Sequence, residues 1–453
     1  MKLNANWWPA ADERRLLGRF YLAESLSEIL NVIFPFRFVY LFLVMQRPEW
    51  AVIPLAVEMV TVLLMEIPTG VVADRWGRKL SVISGGLVCA LGWAMVPLAV
   101  GMSGEIQLLA VSLCFLASGL GQTLVSGAEQ AWVVDNLSSA GRLDLVDRYF
   151  ARMRSFASLG GVVAGGLALL ILLSVEVSRG VLDLLWYLAA LGLVLAVTLA
   201  ATIAERRPAA DGGGRAALGG VWRASVRGFA LIARRRGLLL LGSAMVIAAF
   251  SGAVADQAFD IALVTRGLDA RALAPLGILD DMIGMIAPLI GVLLARRLGA
   301  NRLLALFLVL PAVAVLVFFT DPGLWAVILL LLLLAFFDAV WDPVAEARLY
   351  SLIPSAQRAT VGSIVNQVSG VAMVGGIGLF ALLLGEHSEQ LQAATPDLLE
   401  AFSGGAATHV EVPTSLFGLP ITDLAIVLFT MAGLGAIPLL LLGARREATE
   451  QGR

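Results

Sequence analysis

Acidic and amide side chains that could carry protons or bind a substrate lie inside long apolar runs of this chain. A charge at the centre of a bilayer costs about 2.5 to 3.5 kcal/mol on insertion scales, so such residues usually line a water-filled path. A carboxylate partly withdrawn from water can also exchange protons at working pH. We predict a proton and substrate pathway formed by Glu24, Glu28, Asn31, Gln122, Glu129, Asp338 and Asp342. The alternative for each acid is a structural, hydrogen-bonded role.

Helix periodicity places these side chains in three stripes. At about 100° per residue, positions three or four apart share one face of a helix. The stripes are Glu24, Glu28 and Asn31; Gly119, Gln122, Ser126 and Glu129; and Asp338, Asp342 and Glu346. Each stripe can face a central cavity, whereas Asp135 points away from the second one.

The composition identifies the elements that must position these stripes. Of the 453 residues, 59% are apolar and 15% are charged, with a mean hydropathy of +0.89. A soluble chain has about 25% charged residues, so the apolar excess must face lipid. This excludes a soluble enzyme, a nucleic-acid-binding protein and a disordered chain. Cys89 and Cys114 have no metal-ligand spacing, and the two histidines are too few for a metal cluster. We therefore expect neither a cofactor nor enzymatic activity.

Twelve runs are long enough to cross a bilayer, which takes about 20 apolar residues. They are roughly 16–45, 51–73, 80–102, 106–137, 149–174, 181–204, 237–265, 273–295, 303–319, 323–352, 360–384 and 420–443. Most of the 32 Lys and Arg residues fall in alternate connections, beginning with the N-terminal segment. This asymmetry predicts a multi-pass protein of the cell membrane with both termini cytoplasmic.

A basic segment divides the chain into two halves. We predict an N-terminal six-helix bundle at 1–204, a cytoplasmic loop with a basic amphipathic helix at 205–236, and a C-terminal bundle at 237–453. The segment 385–419 has acids and no Lys or Arg, so we expect an external loop.

Two pairs of segments echo each other across the halves. SLGGVVAGG (Ser158 to Gly166) matches SGVAMVGG (Ser369 to Gly376), and GVVADRWG (Gly70 to Gly77) has a weaker match in GVLLARRLG (Gly291 to Gly299). Small residues at such spacing let helices approach closely. Helix packing alone could explain either match. Because both matches occur in the same order in the two halves, they favour an internal duplication. Such repeats are typical of transporters with a midplane site.

The connection between the second and third runs reads GVVADRWGRK. This pattern resembles the loop signature of the major facilitator superfamily, and the matching residues are Gly70, Asp74, Arg75, Gly77, Arg78 and Lys79. The resemblance implies an all-α membrane fold of twelve helices in two pseudo-symmetric six-helix bundles. It also implies secondary transport by alternating access.

The same resemblance assigns a gating role to the signature. Asp74 would cap the start of the eleventh helix when the inner side is closed, and Arg78 would form a charge relay with Asp135. We expect Asp74→Asn to leave expression intact and to cripple transport. The alternative is a loop that only stabilises topology.

The stretches SGAEQAWVVDNL and IPSAQRATVGS resemble bacterial exporter-like members of the superfamily, including drug:proton antiporters. Proton-coupled drug exporters carry an arginine in the fourth span and a Gly-Pro pair in the fifth. This chain has no arginine between Ile106 and Leu137 and no proline beside Gly160, Gly161, Gly165 and Gly166. These departures weaken the antiporter assignment.

Arg37 lies in the outer half of the first run, and Asp256 and Asp260 lie in the outer half of the seventh. In the superfamily arrangement these helices approach each other on the outer side. We predict that Arg37 pairs with Asp256 or Asp260 as an outer latch. The alternative is an arginine that extends to the outer interface.

These features predict proton-coupled export of a small lipophilic or cationic compound. An acid-lined path favours a cation, and the chain has no phosphate-binding loop for ATP. The expected partners are the substrate, protons and the lipid bilayer, without nucleic acid, around a monomeric protein. The first alternative is a proton-coupled importer of a nutrient or metabolite. A more remote one is a membrane receptor that transports nothing, or an integral-membrane enzyme.

Overall fold

The computed structural model of the protein describes residues 11–206, 226, 228–265, 268, 270–318, 323–353 and 358–386, together with 415–416 and 419–420. Twelve α-helices lie in these ranges. They are α1 Ala11–Ile29, α2 Arg37–Val44, α3 Val52–Trp76, α4 Arg78–Val100, α5 Glu105–Ser139, α6 Val146–Ser174, α7 Arg179–Ala201, α8 Arg236–Thr265, α9 Ala270–Leu298, α10 Ala300–Phe318, α11 Leu324–Leu352 and α12 Arg358–Glu386.

Short 3-10 turns and one small hairpin complete the described structure. The 3-10 turns are Phe34–Phe36, Pro48–Ala51 and Leu143–Leu145. In the predicted external loop, strand β1 (Ser415–Leu416) pairs with strand β2 (Leu419–Pro420) in an antiparallel register.

The all-α membrane architecture agrees with the sequence. Among the described residues, 8 segments are long and apolar enough to cross a bilayer. Each of the first eleven predicted runs coincides with described helix, whereas 420–443 lies outside the described residues beyond Pro420. Within the predicted amphipathic segment, residues 228–234 are helical.

The first predicted span is interrupted. It is apolar from Ala11 to Val44, but α1 ends at Ile29 and α2 begins at Arg37. Pro35 explains the break, because proline has no N–H for the helix and disfavours helical geometry in the residue before it. The backbone closes tight turns there instead, with Asn31 N donating to Glu28 O.

The chain divides by its contacts into two compact units. Unit 1 comprises Met1–Pro35 with Val57–Gly214, and unit 2 comprises Phe36–Ala56 with Arg215–Arg453. The segment 36–56 therefore groups with the second unit, although the sequence assigned 1–204 to the first bundle. The helix break beside Pro35 is the physical reason, since it separates α2 from α1. Inside unit 2, α2 packs against α8, and the 3-10 turn Pro48–Ala51 packs against α12.

Helix pairs repeat between the units. In unit 1, α1 packs against α6, and in unit 2, α8 packs against α12. A Cβ atom on Gly160 of α6 would lie 2.6 Å from Cβ of Glu28, and one on Gly376 of α12 would lie 2.6 Å from the carbonyl oxygen of Phe250. A glycine from each cluster thus lies at an equivalent helix pair in the two units. In α6 this is the first glycine of the cluster, Gly160, and in α12 it is the last, Gly376.

A single glycine turns the chain at equivalent places in both units. Gly77 separates α3 from α4 with φ 115°, and Gly299 separates α9 from α10 with φ 83°. These backbone angles favour glycine, because L-residues with a side chain rarely adopt positive φ. The turns correspond to the second pair of sequence echoes.

Candidate functional site

Arg78 and Asp135 lie in contact at the end of unit 1 where α3 passes into α4, here called the Gly77 end. Arg78 Nη1 lies 2.5 Å from Asp135 Oδ2 and donates to the carbonyl oxygen of Ala131 at 2.5 Å. Gly77 makes this possible by starting α4 one residue after α3 ends, so Arg78 opens α4 beside the last turns of α5. The structure therefore brings together the two residues that the charge relay needs.

Lys79 binds the end of α7. Its Nζ donates to the carbonyl oxygens of Ala201 at 2.6 Å and Ile203 at 2.8 Å. A cation is favoured there, because the last carbonyls of a helix lack intrahelical partners and carry partial negative charge. Arg19 Nη1 adds a bond to the Thr202 carbonyl at 3.0 Å, so the exit from α7 is fastened from two helices.

The remaining signature residues are less informative. Gly70 is exposed in α3, and a Cβ atom there would meet nothing within 4 Å. Asp74 and Arg75 lie in the last turn of α3, and their side chains are outside the described part of the chain.

Glu24 and Glu129 form the acidic centre of unit 1. Both are half-buried, Glu24 on α1 and Glu129 on α5, and their charges lie close enough to interact. Tyr149 of α6 is close enough to sense both carboxylates. Three helices thus bring two predicted pathway acids and a phenol to one place.

Glu28 and Asn31 do not continue the stripe as a helix would. Glu28 is half-buried in the last turn of α1, with Gly160 packed against its Cβ. Asn31 lies beyond the end of α1, so the predicted shared arc with Glu24 and Glu28 was wrong, because the helix stops at Ile29. Its Oδ1 is buried and accepts no hydrogen bond from the described residues.

Asp338 and Asp342 are exposed on α11 of unit 2, with Glu346 exposed one turn further on. The predicted stripe is therefore present as one open face. On α5 of unit 1, Gln122 and Ser126 are likewise exposed, which matches their predicted shared face.

A buried carboxylate holds Gln122 in place. Glu58 of α3 is 4% exposed, and its Oε1 accepts hydrogen bonds from Ser118 Oγ at 2.6 Å and Gln122 Nε2 at 2.8 Å. Trp93 Nε1 of α4 donates to Ser118 Oγ at 2.9 Å. The sequence placed Glu58 in an apolar run but did not select it, since only the fold brings α3, α4 and α5 together.

Glu13 was missed as well. It is 1% exposed at the Gly77 end, accepts a bond from Tyr21 Oη at 3.0 Å and forms an ion pair with Arg152 of α6. It lies before the first apolar run, so hydrophobicity gave no signal. Nearby, Arg142 pairs with Asp144 and Asp12, and its hydrogen bonds to these carboxylates raise the pKa of the guanidinium.

The latch residues are only partly described. Arg37 begins α2 and is half-buried. Asp256 and Asp260 lie in α8, which packs against α2, but their side chains are outside the described part of the chain. Within that part, no cluster of three His, Cys, Asp or Glu side chains could hold a metal ion.

The repeated helix pairs and the positive-φ glycine turn found at the equivalent place in each unit indicate a duplicated membrane fold. The family description "Major Facilitator Superfamily" matches residues 50–377. The chain belongs to this superfamily and is a transporter of that type. No curated protein sequence matches it.

Solved structures share the fold at low identity. A D-xylose-proton symporter is 14% identical with a TM-score of 0.66, over 94% of this chain and 97% of that one. A nucleoside transporter, NupG, is 15% identical with a TM-score of 0.65, over 95% and 98% of the two chains. A bacterial homologue of the iron transporter ferroportin is 14% identical with a TM-score of 0.60, over 92% and 98%. These similarities establish the fold and leave the substrate open.

Proposed function

We propose that this transporter is a proton-coupled exporter of a small lipophilic or cationic compound. The observation that supports this most strongly is the approach of Glu24 and Glu129 from two helices of unit 1. Two carboxylates whose charges interact repel each other when both are ionised. The pair is therefore suited to hold one proton and to release it when a cation arrives or the conformation changes.

The charge of the open faces supports a cationic substrate. Asp338 and Asp342 are exposed on α11, and the fourth predicted span contains no Lys or Arg. An anion would meet like charge along such a path. Export rather than import rests on the exporter-like stretches SGAEQAWVVDNL and IPSAQRATVGS.

The signature would form the inner gate of this exporter. The Lys and Arg distribution places the Gly77 end in the cytoplasm, together with both termini. Gly70, Asp74, Arg75, Gly77, Arg78, Lys79 and Asp135 would then bias the equilibrium between inward-open and inward-closed states. A monomer in the cell membrane is sufficient for this mechanism.

The outer latch remains part of the proposal. Arg37 would pair with Asp256 or Asp260 and release it in the outward-facing state. A charge swap tests this: Arg37→Asp should abolish transport, and Arg37→Asp with Asp256→Arg or Asp260→Arg should restore it. Failure of both swaps would reject the latch.

Proteoliposomes with a pH-sensitive dye inside test the proton coupling. Addition of a panel of lipophilic cations should cause proton movement with the wild-type protein and none with Glu129→Gln. Glu66→Gln is the matched control, because Glu66 is an exposed acid on α3 outside the predicted pathway. Equal proton movement in both variants would contradict the role of Glu129.

Vesicle orientation separates export from import. Substrate accumulation in inverted vesicles driven by an acidic interior supports export, whereas accumulation in right-side-out vesicles driven by an inward proton gradient supports the importer. Binding without any flux or proton movement would favour the receptor.

A further inference from the structure

We propose that Gln122 is a substrate-binding residue and that Glu58 is the positioning residue that turns its carbonyl oxygen toward the open face of α5. The ligand class is a compound with an N–H or O–H donor, such as an aromatic amine cation. This inference deepens the proposed function and rests on it, since it assigns a polar contact to the same transport path.

The polarity of the hydrogen-bond network begins at Trp93. An indole N–H can only donate, so Ser118 Oγ must accept the bond of 2.9 Å from Trp93 Nε1. Gln122 Nε2 also donates to Ser118 Oγ, at 3.2 Å. A hydroxyl oxygen has two lone pairs and one proton. Ser118 Oγ therefore accepts these two bonds and donates its proton over the shortest contact, to Glu58 Oε1 at 2.6 Å, whereas Cys89 Sγ lies further away at 3.6 Å.

This polarity fixes the amide of Gln122. Its Nε2 lies 2.8 Å from Glu58 Oε1 and 3.2 Å from Ser118 Oγ, and because these two oxygens are only 2.6 Å apart, a single N–H group points toward both. Rotating the amide by half a turn would place Oε1 against the carboxylate of Glu58 and against a hydroxyl whose proton is already used. Two buried contacts would then become repulsive. The accepting oxygen of Glu58 therefore selects one of the two amide orientations.

The selected orientation turns Oε1 of Gln122 toward the exposed face of α5. Glu58 is 4% exposed and Ser118 is fully buried, whereas Gln122 is exposed on α5 beside exposed Ser126. Since one N–H group of Gln122 is held by Glu58 and Ser118, the amide oxygen Oε1 faces away from this pair and can accept a hydrogen bond from a ligand. Glu129 lies two turns further along the same stripe, so a cation bound near that acid could also donate to Gln122.

Close packing keeps this arrangement rigid. A Cβ atom on Gly119, one residue from Ser118, would lie 2.7 Å from the carbonyl oxygen of Glu58. The backbones of α3 and α5 therefore meet at the cluster, which keeps the backbone positions of Glu58 and Gln122 close together. A contact held in this way loses little freedom when a ligand binds.

The test compares two lipophilic cations that differ in hydrogen bonding. Ethidium carries two aromatic amino groups, whereas tetraphenylphosphonium has no N–H or O–H group. The dissociation constants of both are measured with the purified full-length protein in lipid nanodiscs. Loss of a negative charge affects both cations alike, so the ratio of their affinities isolates the hydrogen bond.

We expect Gln122→Met to weaken ethidium binding about tenfold, because the variant loses one hydrogen bond to the ligand. A hydrogen bond worth about 1.4 kcal/mol corresponds to a tenfold change in the dissociation constant. Glu58→Gln should weaken it about threefold, because a neutral amide permits both orientations of Gln122. The double variant should lose no more than Gln122→Met alone. Tetraphenylphosphonium binding should change less than about twofold in Gln122→Met, and Glu66→Gln should leave the ratio unchanged.

Three results would overturn the inference. These are equal losses for both cations, an unchanged affinity for ethidium in Gln122→Met, or no saturable ethidium binding to the wild type. Because Gln122 is exposed, Gln122→Met keeps the test decisive if Glu58→Gln does not fold. The proposed function is judged separately: wild-type proton movement driven by tetraphenylphosphonium supports proton-coupled transport even where the ethidium ratio fails.

Discussion

The third and fourth spans of the two units pack by opposite means. In unit 1, α4 and α5 meet through glycines: a Cβ atom on Gly121 would lie 2.6 Å from the carbonyl oxygen of Gly85, and one on Gly92 would lie 2.6 Å from that of Cys114. In unit 2, α10 and α11 contain no glycine and meet through rings, with Phe307 and Phe337 centroids 4.9 Å apart at 78°. Equivalent helices thus pack backbone against backbone in unit 1 and side chain against side chain in unit 2.

This difference explains where the polar cluster lies. Glycines bring the backbones of α4 and α5 together, and on the neighbouring part of α5 Ser118 and Gln122 donate to Glu58 of α3. Large apolar rings fill the corresponding space between α10 and α11. We infer that the duplicated units share topology while unit 1 has specialised in polar contacts.

The turns that precede these two helix pairs also differ, because the arginine and its partner exchange positions. Arg78 at the start of α4 pairs with Asp135 near the end of α5. At the start of α10, Asn301 Oδ1 accepts a bond of 2.8 Å from Arg348 Nε, near the end of α11. The cation lies on the turn in unit 1 and on the opposite helix in unit 2. The unit 1 contact joins an arginine to a carboxylate, which suits it to a charge-dependent gate, whereas the unit 2 contact joins an arginine to an amide oxygen.

The largest expected effect comes from filling the glycine contact. Gly121→Leu should prevent folding, because its Cβ would lie 2.6 Å from Gly85 O and 2.7 Å from Cys89 Cβ. A backbone obstacle cannot rotate away as a side chain can. The measurement is the yield of monodisperse protein in detergent. Gly284→Leu is the control, since a Cβ there meets nothing within 4 Å, and equal yields would contradict the packing difference.

The reciprocal change in unit 2 removes a ring. Phe307→Ala should lower the free energy of unfolding by about 3 to 5 kcal/mol, because Phe307 is 6% exposed and packs against Phe336 and Phe337. Reversible unfolding in mixed micelles measures this. Phe307→Leu keeps most of the volume and should cost less than about 1.5 kcal/mol. Equal stability of Phe307→Ala and Phe307→Leu would mean that packing at this position does not stabilise unit 2.

The Arg78–Asp135 ion pair of unit 1 and the Arg348–Asn301 hydrogen bond of unit 2 should differ less in their contribution to the free energy of unfolding. Arg78→Ala should cost about 2 kcal/mol, because it leaves the Asp135 carboxylate without this cation, and Arg348→Ala should cost about 1 kcal/mol, because it removes a bond to the neutral amide oxygen of Asn301. The same unfolding assay applies, with exposed Arg296→Ala as the control. We also expect Arg78→Ala, but not Arg348→Ala, to lower proton-coupled flux. A larger cost for Arg348→Ala would reverse the assignment of the gate to unit 1.

Patterns along the chain predicted the helices, because hydrophobic length is a local signal. Spacing along α5 also selected Gln122 and Glu129, whereas Asp135 was selected by the resemblance to the superfamily signature. The break before Arg37 was missed because an apolar run carries no mark of interruption except Pro35. Glu58 and Glu13 were missed because their importance arises from partners on other helices, 60 and 139 residues away along the chain.

The smallest expected effect distinguishes the two turn glycines. Gly77 has φ 115° and ψ 141°, a region that only glycine occupies readily, whereas Gly299 has φ 83°, nearer the left-handed region that asparagine tolerates. Gly77→Asn should therefore cost about 1 kcal/mol more than Gly299→Asn in unfolding free energy. The comparison is controlled internally, because each turn joins two long helices with no residue besides the glycine between them. Equal costs would mean that the turns are conformationally equivalent, and the specialisation of unit 1 would then lie in Arg78 and Asp135 rather than in the backbone that presents them.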